Sequence, residues 1–200
     1  MSTNPRLLLA SGSAYRKSLM ARLRLDFETC SPDIDERPLP GESAAETALR
    51  LAQAKAEAVA TTMNEGLIIG SDQVATLDGQ HIGKPGSHAN AMAQLQSMRG
   101  REVVFHTALC LLDTRAHAPQ RLQLENVKTV VMFRDLPDAE LDAYLRIEQP
   151  YDCAGSAKNE ALGIALLSSI QSDDPTALTG LPLIALVGML RKSGLTFFEH

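Results

Sequence analysis

Asp72 stands inside Leu67-Ile68-Ile69-Gly70-Ser71-Asp72-Gln73-Val74-Ala75, a run in which a carboxylate is costly to bury without a cation, a metal or several donors. It reads either as a structural carboxylate taking backbone N–H bonds or as a base or metal ligand. Lys55 poses the matching question. It falls on the helical stripe Ala48, Leu51, Lys55, Val59, while Glu46, Arg50, Gln53 and Glu57 line the opposite face, so Lys55 points inward. Two readings fit that position: a lysine snorkelling at the edge of the core, or a cation aimed at a phosphate. A third feature lies at Leu7-Leu8-Leu9-Ala10-Ser11-Gly12-Ser13, an apolar strand running into a small-residue turn. Ser13 is a suitable N-cap, and the turn can offer backbone N–H groups to an anion. Helix N-termini favour Asp or Glu, yet this one opens with Arg16 and Lys17, an excess of positive charge that an anionic ligand would balance and that solvent could also absorb.

Weaker signals accompany these. Ser31-Pro32-Asp33-Ile34-Asp35-Glu36-Arg37-Pro38 gathers three carboxylates, hard oxygen ligands of the kind Mg²⁺ or Mn²⁺ takes beside a phosphate; a solvated acidic turn has the same composition. Gly83-Lys84-Pro85-Gly86 places a lysine on a stiff turn, and Cys153-Ala154-Gly155-Ser156 is a small-residue turn after Asp152.

The elements that must position these residues alternate between helical and strand patterns. Strands are predicted at Leu7 to Ala10, Phe27 to Cys30, Leu67 to Leu77, Glu102 to Asp113, Leu122 to Phe133 and near Ile164 to Ile170. Helices are predicted over Ala14 to Leu25, Ala44 to Thr62, Ala89 to Met98 and Asp138 to Arg146, with a last one opened by Pro182 at its first position. Asp78-Gly79 reads as a hairpin turn. Hairpins and helical crossovers together imply an α/β fold with a mixed sheet.

Composition narrows the function classes. Two hundred residues at 44% hydrophobic can bury a full core as one domain, or as two closely packed lobes. A net charge of −5 with 4% aromatics excludes a general nucleic-acid binder. No apolar run is long enough to span a bilayer, and Met1-Ser2-Thr3-Asn4-Pro5 lacks signal-peptide features, so a cytoplasmic protein is expected. Cys30, Cys110 and Cys153 are odd in number and widely spaced, which suits packing in a reducing compartment better than disulfides or zinc.

Taken in order, these motifs resemble the Maf family of nucleotide pyrophosphatases over nearly the whole chain. The resemblance rests on Leu9-Ala10-Ser11-Gly12-Ser13 with Arg16, Asp35-Glu36, Lys55, Ser71-Asp72-Gln73-Val74, Gly83-Lys84-Pro85, Ala154-Gly155-Ser156 and Gly180-Leu181-Pro182. Ala14 departs from the family's usual Pro and touches no chemistry. The resemblance implies a single domain over residues 1–200, with an elongated mixed sheet flanked by helices. It also implies two lobes around a central cleft, as in inosine triphosphatases, and a homodimer at the family level. It implies hydrolysis of a nucleoside triphosphate to the monophosphate and diphosphate with a divalent cation (Mg, Mn or Co). Ser11, Ser13, Arg16, Lys55 and Lys84 would bind phosphate, Asp72 would take the proton of the attacking water, and Asp72 and Glu36 would hold the metal. An ordinary Asp, with pKa about 3.9, is a weak base at neutral pH, which is the reason for expecting a metal's help.

Three positions bear on the base. The family branch acting on dTTP and UTP typically has Arg, Thr and Gln where this chain has Tyr15, Gln73 and Glu160. That trio resembles the 7-methyl-GTP branch, which usually carries Trp at the position of Tyr15. N7-methylation makes guanine cationic, so an aromatic face and a carboxylate both favour it. Glu160 can also accept from the guanine N1–H and exocyclic amine. The alternatives are a dTTP/UTP or broad modified-nucleotide pyrophosphatase and, from another class, a nucleotide-sensing regulator of cell division.

Overall fold

The computed structural model describes residues 5–198. Its elements are β1 (Arg6–Ala10), α1 (Ala14–Ala21), β2 (Glu28–Cys30), α2 (Ala44–Val59), β3 (Gly66–Leu77), β4 (Gln80–Ile82) and α3 (His88–Met98). Then follow β5 (Glu102–Asp113), β6 (Leu122–Phe133), α4 (Asp138–Glu148), β7 (Leu167–Ser172) and α5 (Leu183–Lys192). The seven strands form one mixed sheet in the order β2-β1-β3-β5-β6-β7, with β4 paired to β3. β1 runs parallel to both β2 and β3, whereas β4 on β3 and β7 on β6 are antiparallel.

The chain divides into two compact units. One takes in residues 5–73, Thr107–Val127 and residues 174–198; the other comprises Val74–His106 and Lys128–Asp173. In the first unit, the unbroken apolar runs of β1 and β3 are buried on both faces, as parallel strands between helices are. Strand alternation assigns those faces. Leu7, Leu9, Leu67 and Ile69 pack into a core with Leu19 and Met20 of α1 and Leu186, Met189 and Leu190 of α5. The even-numbered residues face α2. There Gly70 lets the helix lie so close that a Cβ on it would fall 2.0 Å from the Ala52 carbonyl oxygen and 3.1 Å from the Ala56 Cβ. This backbone approach is what sequence periodicity alone leaves invisible. Gly70→Ala is therefore expected to destabilise the protein by about 3 kcal/mol through overpacking against backbone, read as a fall in Tm; an unchanged Tm would mean α2 can move away freely.

In the second unit α3 packs on α4, burying Ala91, Leu95 and Met98 along with Leu141, Tyr144 and Leu145. Asp138 and Glu140 in the first turn of α4 and Arg146 in its last turn complement the helix dipole.

β5 and β6 match their predicted limits, and several other boundaries shift for local reasons. α1 stops at Ala21 rather than Leu25, because Arg22, Leu23 and Arg24 donate three residues back and Arg24 turns left-handed at φ 54°. α2 gives way at Ala60–Thr62 to a 3-10 turn in which the Thr62 hydroxyl donates to the Val59 carbonyl. α4 continues to Glu148 and closes on left-handed Gln149. Pro182 caps α5 instead of occupying its first helical position, and its carbonyl accepts from Leu186. The strand predicted from Ile164 begins only at Leu167, since Leu162–Leu166 form a 3-10 turn. That apolar stretch buries just Gly163 and Leu166, a spacing of three that suits such a turn and not a strand.

Candidate active site

The site grows out of the parallel register of β1 and β3. Ala10 lies opposite Gly70, the last pair of that ladder, so the Ser11 turn leaves the carboxyl end of β1 beside Ser71-Asp72, where β3 runs on past its parallel partner. Open α/β sheets commonly bind ligands there. From that point strand alternation sends Asp72 to the α2 side with Gly70, and Ser71 and Gln73 to the opposite side.

On the α2 side Lys55 is buried, as its helical stripe requires, and its Nζ lies 2.5 Å from Asp72 Oδ1 and 2.7 Å from Glu36 Oε1. Asp72 is only 7% exposed, so Lys55 is the partner that its burial demands. Lys55 is thus no snorkelling lysine. Burial pushes the Asp72 carboxyl above its ordinary value; Lys55 and, at longer range, Arg16 oppose the rise, and Glu36 adds to it. Glu36 arrives on the acidic loop, which Glu42 fastens to α2. The Glu42 carboxylate accepts from Arg50, from the Leu39 N–H and from the Thr47 hydroxyl, and Arg50 chiefly holds its pKa down to about 2. Arg50 also donates to the Arg37 carbonyl, one residue from Glu36. Asp35 is turned away, paired with Arg37.

On the other side the Ser11–Ser13 turn is wired inward. Ser11 N–H donates to the Leu9 carbonyl, and Ser13 N–H donates to Ser11 Oγ at 3.1 Å. Those two amides are therefore engaged within the turn. Ser13 Oγ caps α1 by accepting from the Arg16 N–H. Arg16 itself is held by its side chain: Nε donates to the Gly180 carbonyl at 2.8 Å and Nη1 to Ser11 Oγ at 3.5 Å. Burial lowers the pKa of its guanidinium, and the negative charges of Asp72 and Glu36 counter that effect. Arg16 makes no ion pair among the described residues.

Segment 174–182 is the part that sequence reasoning underrated. Asp174 is buried and accepts from the Thr176, Ile184 and Ala185 N–H groups, closing the start of α5. Thr176 Oγ1 donates to the Leu181 carbonyl and accepts from the Leu183 N–H. The Gly180 carbonyl thereby stands in a fixed place to take both Arg16 Nε and, at 2.9 Å, the Ser71 hydroxyl. Gly180 has φ +107°, which disfavours any side chain there, and a Cβ would lie 3.4 Å from Arg16 Nε. The only sequence sign of this segment was Gly180-Leu181-Pro182. Gln73 also reaches it: its Nε2 donates to Thr107 Oγ1 and to the Ala177 and Leu178 carbonyls, so its amide nitrogen is committed to the protein.

Tyr15 is half-buried on α1. Lys84 and Glu160 belong to the second unit; both are exposed and make no hydrogen bond or ion pair among the described residues. Ala154-Gly155-Ser156 is a tight turn of that unit, with Gly155 and Ser156 both at positive φ and Ser156 Oγ donating to Gln94. Cys30, Cys110 and Cys153 are free thiols; burial pushes Cys110 and Cys153 up to about 12, which makes both poor nucleophiles. No three His, Cys, Asp or Glu side chains group as a metal site among the described residues, and no helix among them is long and apolar enough to cross a membrane.

The site is thus a buried lysine between two carboxylates, with an arginine at the adjoining turn, on a mixed α/β sheet. The chain belongs to the Maf-like family, whose model matches residues 6–193. It is 62% identical over 196 residues to the 7-methyl-GTP pyrophosphatase of Cupriavidus metallidurans, covering 98% of this chain and 97% of that one. To the 7-methyl-GTP pyrophosphatase of Paraburkholderia xenovorans it is 64% identical over 193 residues, covering 95% and 93%. Among solved structures it is similar to a nucleoside-triphosphatase (dITP/XTP pyrophosphatase) from Mycobacterium abscessus, with TM-score 0.43, 17% identity and coverage of 93% and 95%.

Proposed function

We propose that this protein is a nucleoside triphosphate pyrophosphatase that hydrolyses 7-methyl-GTP to 7-methyl-GMP and diphosphate, removing a modified nucleotide from the pool. The observation that carries the reading is the cluster of Arg16, Lys55, Asp72 and Glu36 where β1 ends beside the middle of β3, in a chain more than 60% identical to proteins of that name.

The chemistry follows from the charges. Arg16 and Lys55 neutralise oxygens of the triphosphate and stabilise charge that builds on them in the transition state; Lys84 is the further phosphate-binding lysine that the family resemblance implies. Water adds to the α or to the β phosphorus and the bond from that phosphorus to the α–β bridging oxygen breaks; diphosphate is the leaving group in the first case and 7-methyl-GMP in the second, and the two products are the same. Asp72 takes the water's proton. Burial raises its pKa and makes it a stronger base than an exposed Asp, while Lys55 and Arg16 favour its ionised form. Two carboxylates, Glu36 and Asp72, suit a divalent cation such as magnesium, manganese or cobalt, which commonly takes one or two protein carboxylates and completes its shell with phosphate oxygens and water. Bound there, the cation supplies further neutralisation and a more acidic water. Lys55 lies against both carboxylates and so keeps their charges compensated before a nucleotide arrives.

Tyr15 and Glu160 read the base in this proposal, an aromatic face and an exposed carboxylate suited to the cationic ring of 7-methylguanine. Diphosphate release from a panel of triphosphates tests the assignment, with 7-methyl-GTP expected to give the highest kcat/KM. Preference for dTTP or UTP would move the protein to the other branch, and tight binding without diphosphate release would make it a sensor. Glu160→Gln should lower kcat/KM on 7-methyl-GTP by roughly ten- to two-hundred-fold, about 1 to 3 kcal/mol for one charge-assisted contact, and scarcely alter UTP. Tyr15→Ala should act in the same direction, and Tyr15→Trp should be tolerated. Equal slowing of every triphosphate by these variants overturns the base-reading roles.

A further inference from the structure

Thr107 is a fully buried hydroxyl on β5 to which neither sequence motif nor family resemblance assigns a task. Its Oγ1 accepts from Gln73 Nε2 at 2.9 Å and donates to the Ala177 carbonyl at 3.0 Å. Gln73 donates to that same carbonyl at 3.1 Å and to Leu178 at 3.0 Å. The hydroxyl and the amide therefore fix two successive backbone carbonyls of one segment. A few residues on, the Gly180 N–H returns to the Ala177 carbonyl at 2.8 Å, and the Gly180 carbonyl holds Arg16 Nε. A chain of hydrogen bonds thus leads from β5 to the guanidinium.

We propose that Thr107 is a positioning residue for Arg16, acting through Ala177 and Gly180. Segment 174–182 lacks regular structure, and its far end is pinned by Asp174 and Thr176 to the start of α5. Thr107 and Gln73 pin its middle. Arg16 makes no ion pair among the described residues that would orient it, so its aim depends chiefly on where the Gly180 carbonyl stands, with Ser11 Oγ a longer contact at 3.5 Å. An arginine that meets phosphate is sensitive to such placement, and an error of about 1 Å can cost on the order of a hundredfold in rate. The inference rests on the phosphate-binding role proposed for Arg16.

Steady-state kinetics of Thr107→Val, Thr107→Ser, Arg16→Ala and Thr107→Val/Arg16→Ala test it, with 7-methyl-GTP and UTP as substrates. Thr107→Val should lower kcat/KM by roughly tenfold or more on both nucleotides, within the range that small misplacements produce. Thr107→Ser should restore it by restoring the hydroxyl. In the Arg16→Ala background, Thr107→Val should cost little further, because the group it aims is gone. A full multiplicative loss in that background overturns the proposal while leaving the role of Arg16 intact. An Arg16→Ala variant as active as wild type overturns both. A Thr107→Val protein with lowered Tm but unchanged kcat/KM makes the hydroxyl structural only. If Thr107→Val does not fold, Gln73→Met removes the same grip from β3, and its cycle with Arg16→Ala decides by the same criteria.

Discussion

Asp72→Asn is expected to lower kcat by about a thousandfold while the protein remains folded and still binds nucleotide. The change keeps size and shape but removes the charge that a base or metal ligand needs, and the loss of a general base spans roughly two to four orders of magnitude. Stability should change little, because two opposing effects go together: the amide escapes the burial that raises the carboxyl's pKa, and it forfeits the ion pair with Lys55 at 2.5 Å. Diphosphate release under single-turnover conditions, alongside Tm, is the measurement. Turnover near wild type would assign Asp72 to structure. The pH dependence carries the same sign. The carboxyl must be ionised to act and its pKa is raised, so wild-type kcat/KM should climb with pH along a limb above that of an exposed Asp. For stability the raised pKa works in reverse: Asp72 favours the folded state below its unfolded pKa, and that contribution is lost as pH rises through the folded pKa.

The sequence made visible those parts of this site that periodicity controls. A stripe of four residues was enough to turn Lys55 inward, and an Asp in an apolar run was enough to demand a cation. What neither pattern contains is that the two groups meet. That meeting depends on Gly70, which reads in a strand as a mere weak point, and on the parallel register that sets Ala10 opposite it. The strand predicted from Ile164 erred for a related reason. Short apolar runs fit a strand and a 3-10 turn alike, and only burial at Gly163 and Leu166 separates them.

Segment 174–182 was the least legible, because its influence passes through backbone carbonyls. Gly180 holds Arg16 and Ser71 by its oxygen, an atom that every residue type possesses. The sequence betrays such a contact only through the positive φ that calls for glycine there. Gln73 illustrates the converse. A side chain picked out for base selection turns out to spend its amide nitrogen on that same segment.

Lys55→Met should affect activity and stability together, and the two effects can be separated. At neutral pH the variant leaves Asp72 buried and stripped of its nearest cation, a situation that costs about 3 kcal/mol when one partner of a buried pair is removed. Methionine fills the space, so loss of packing contributes little. Lys55 is the foremost cation holding the Asp72 pKa down; without it that pKa rises further, and the acid limb of kcat/KM moves to higher pH. The stability deficit should accordingly shrink as pH falls and Asp72 takes up a proton. Adding Asp72→Asn to Lys55→Met should recover most of the lost stability, since no buried charge then lacks a partner. It should recover none of the activity. The lysine's own work on phosphate would appear as a loss of about a hundredfold in kcat/KM that persists above the shifted limb, where Asp72 is ionised again. If activity there returns to wild type, Lys55 serves only as the counter-ion of Asp72, and Arg16 is left as the cation of the first unit that meets the substrate.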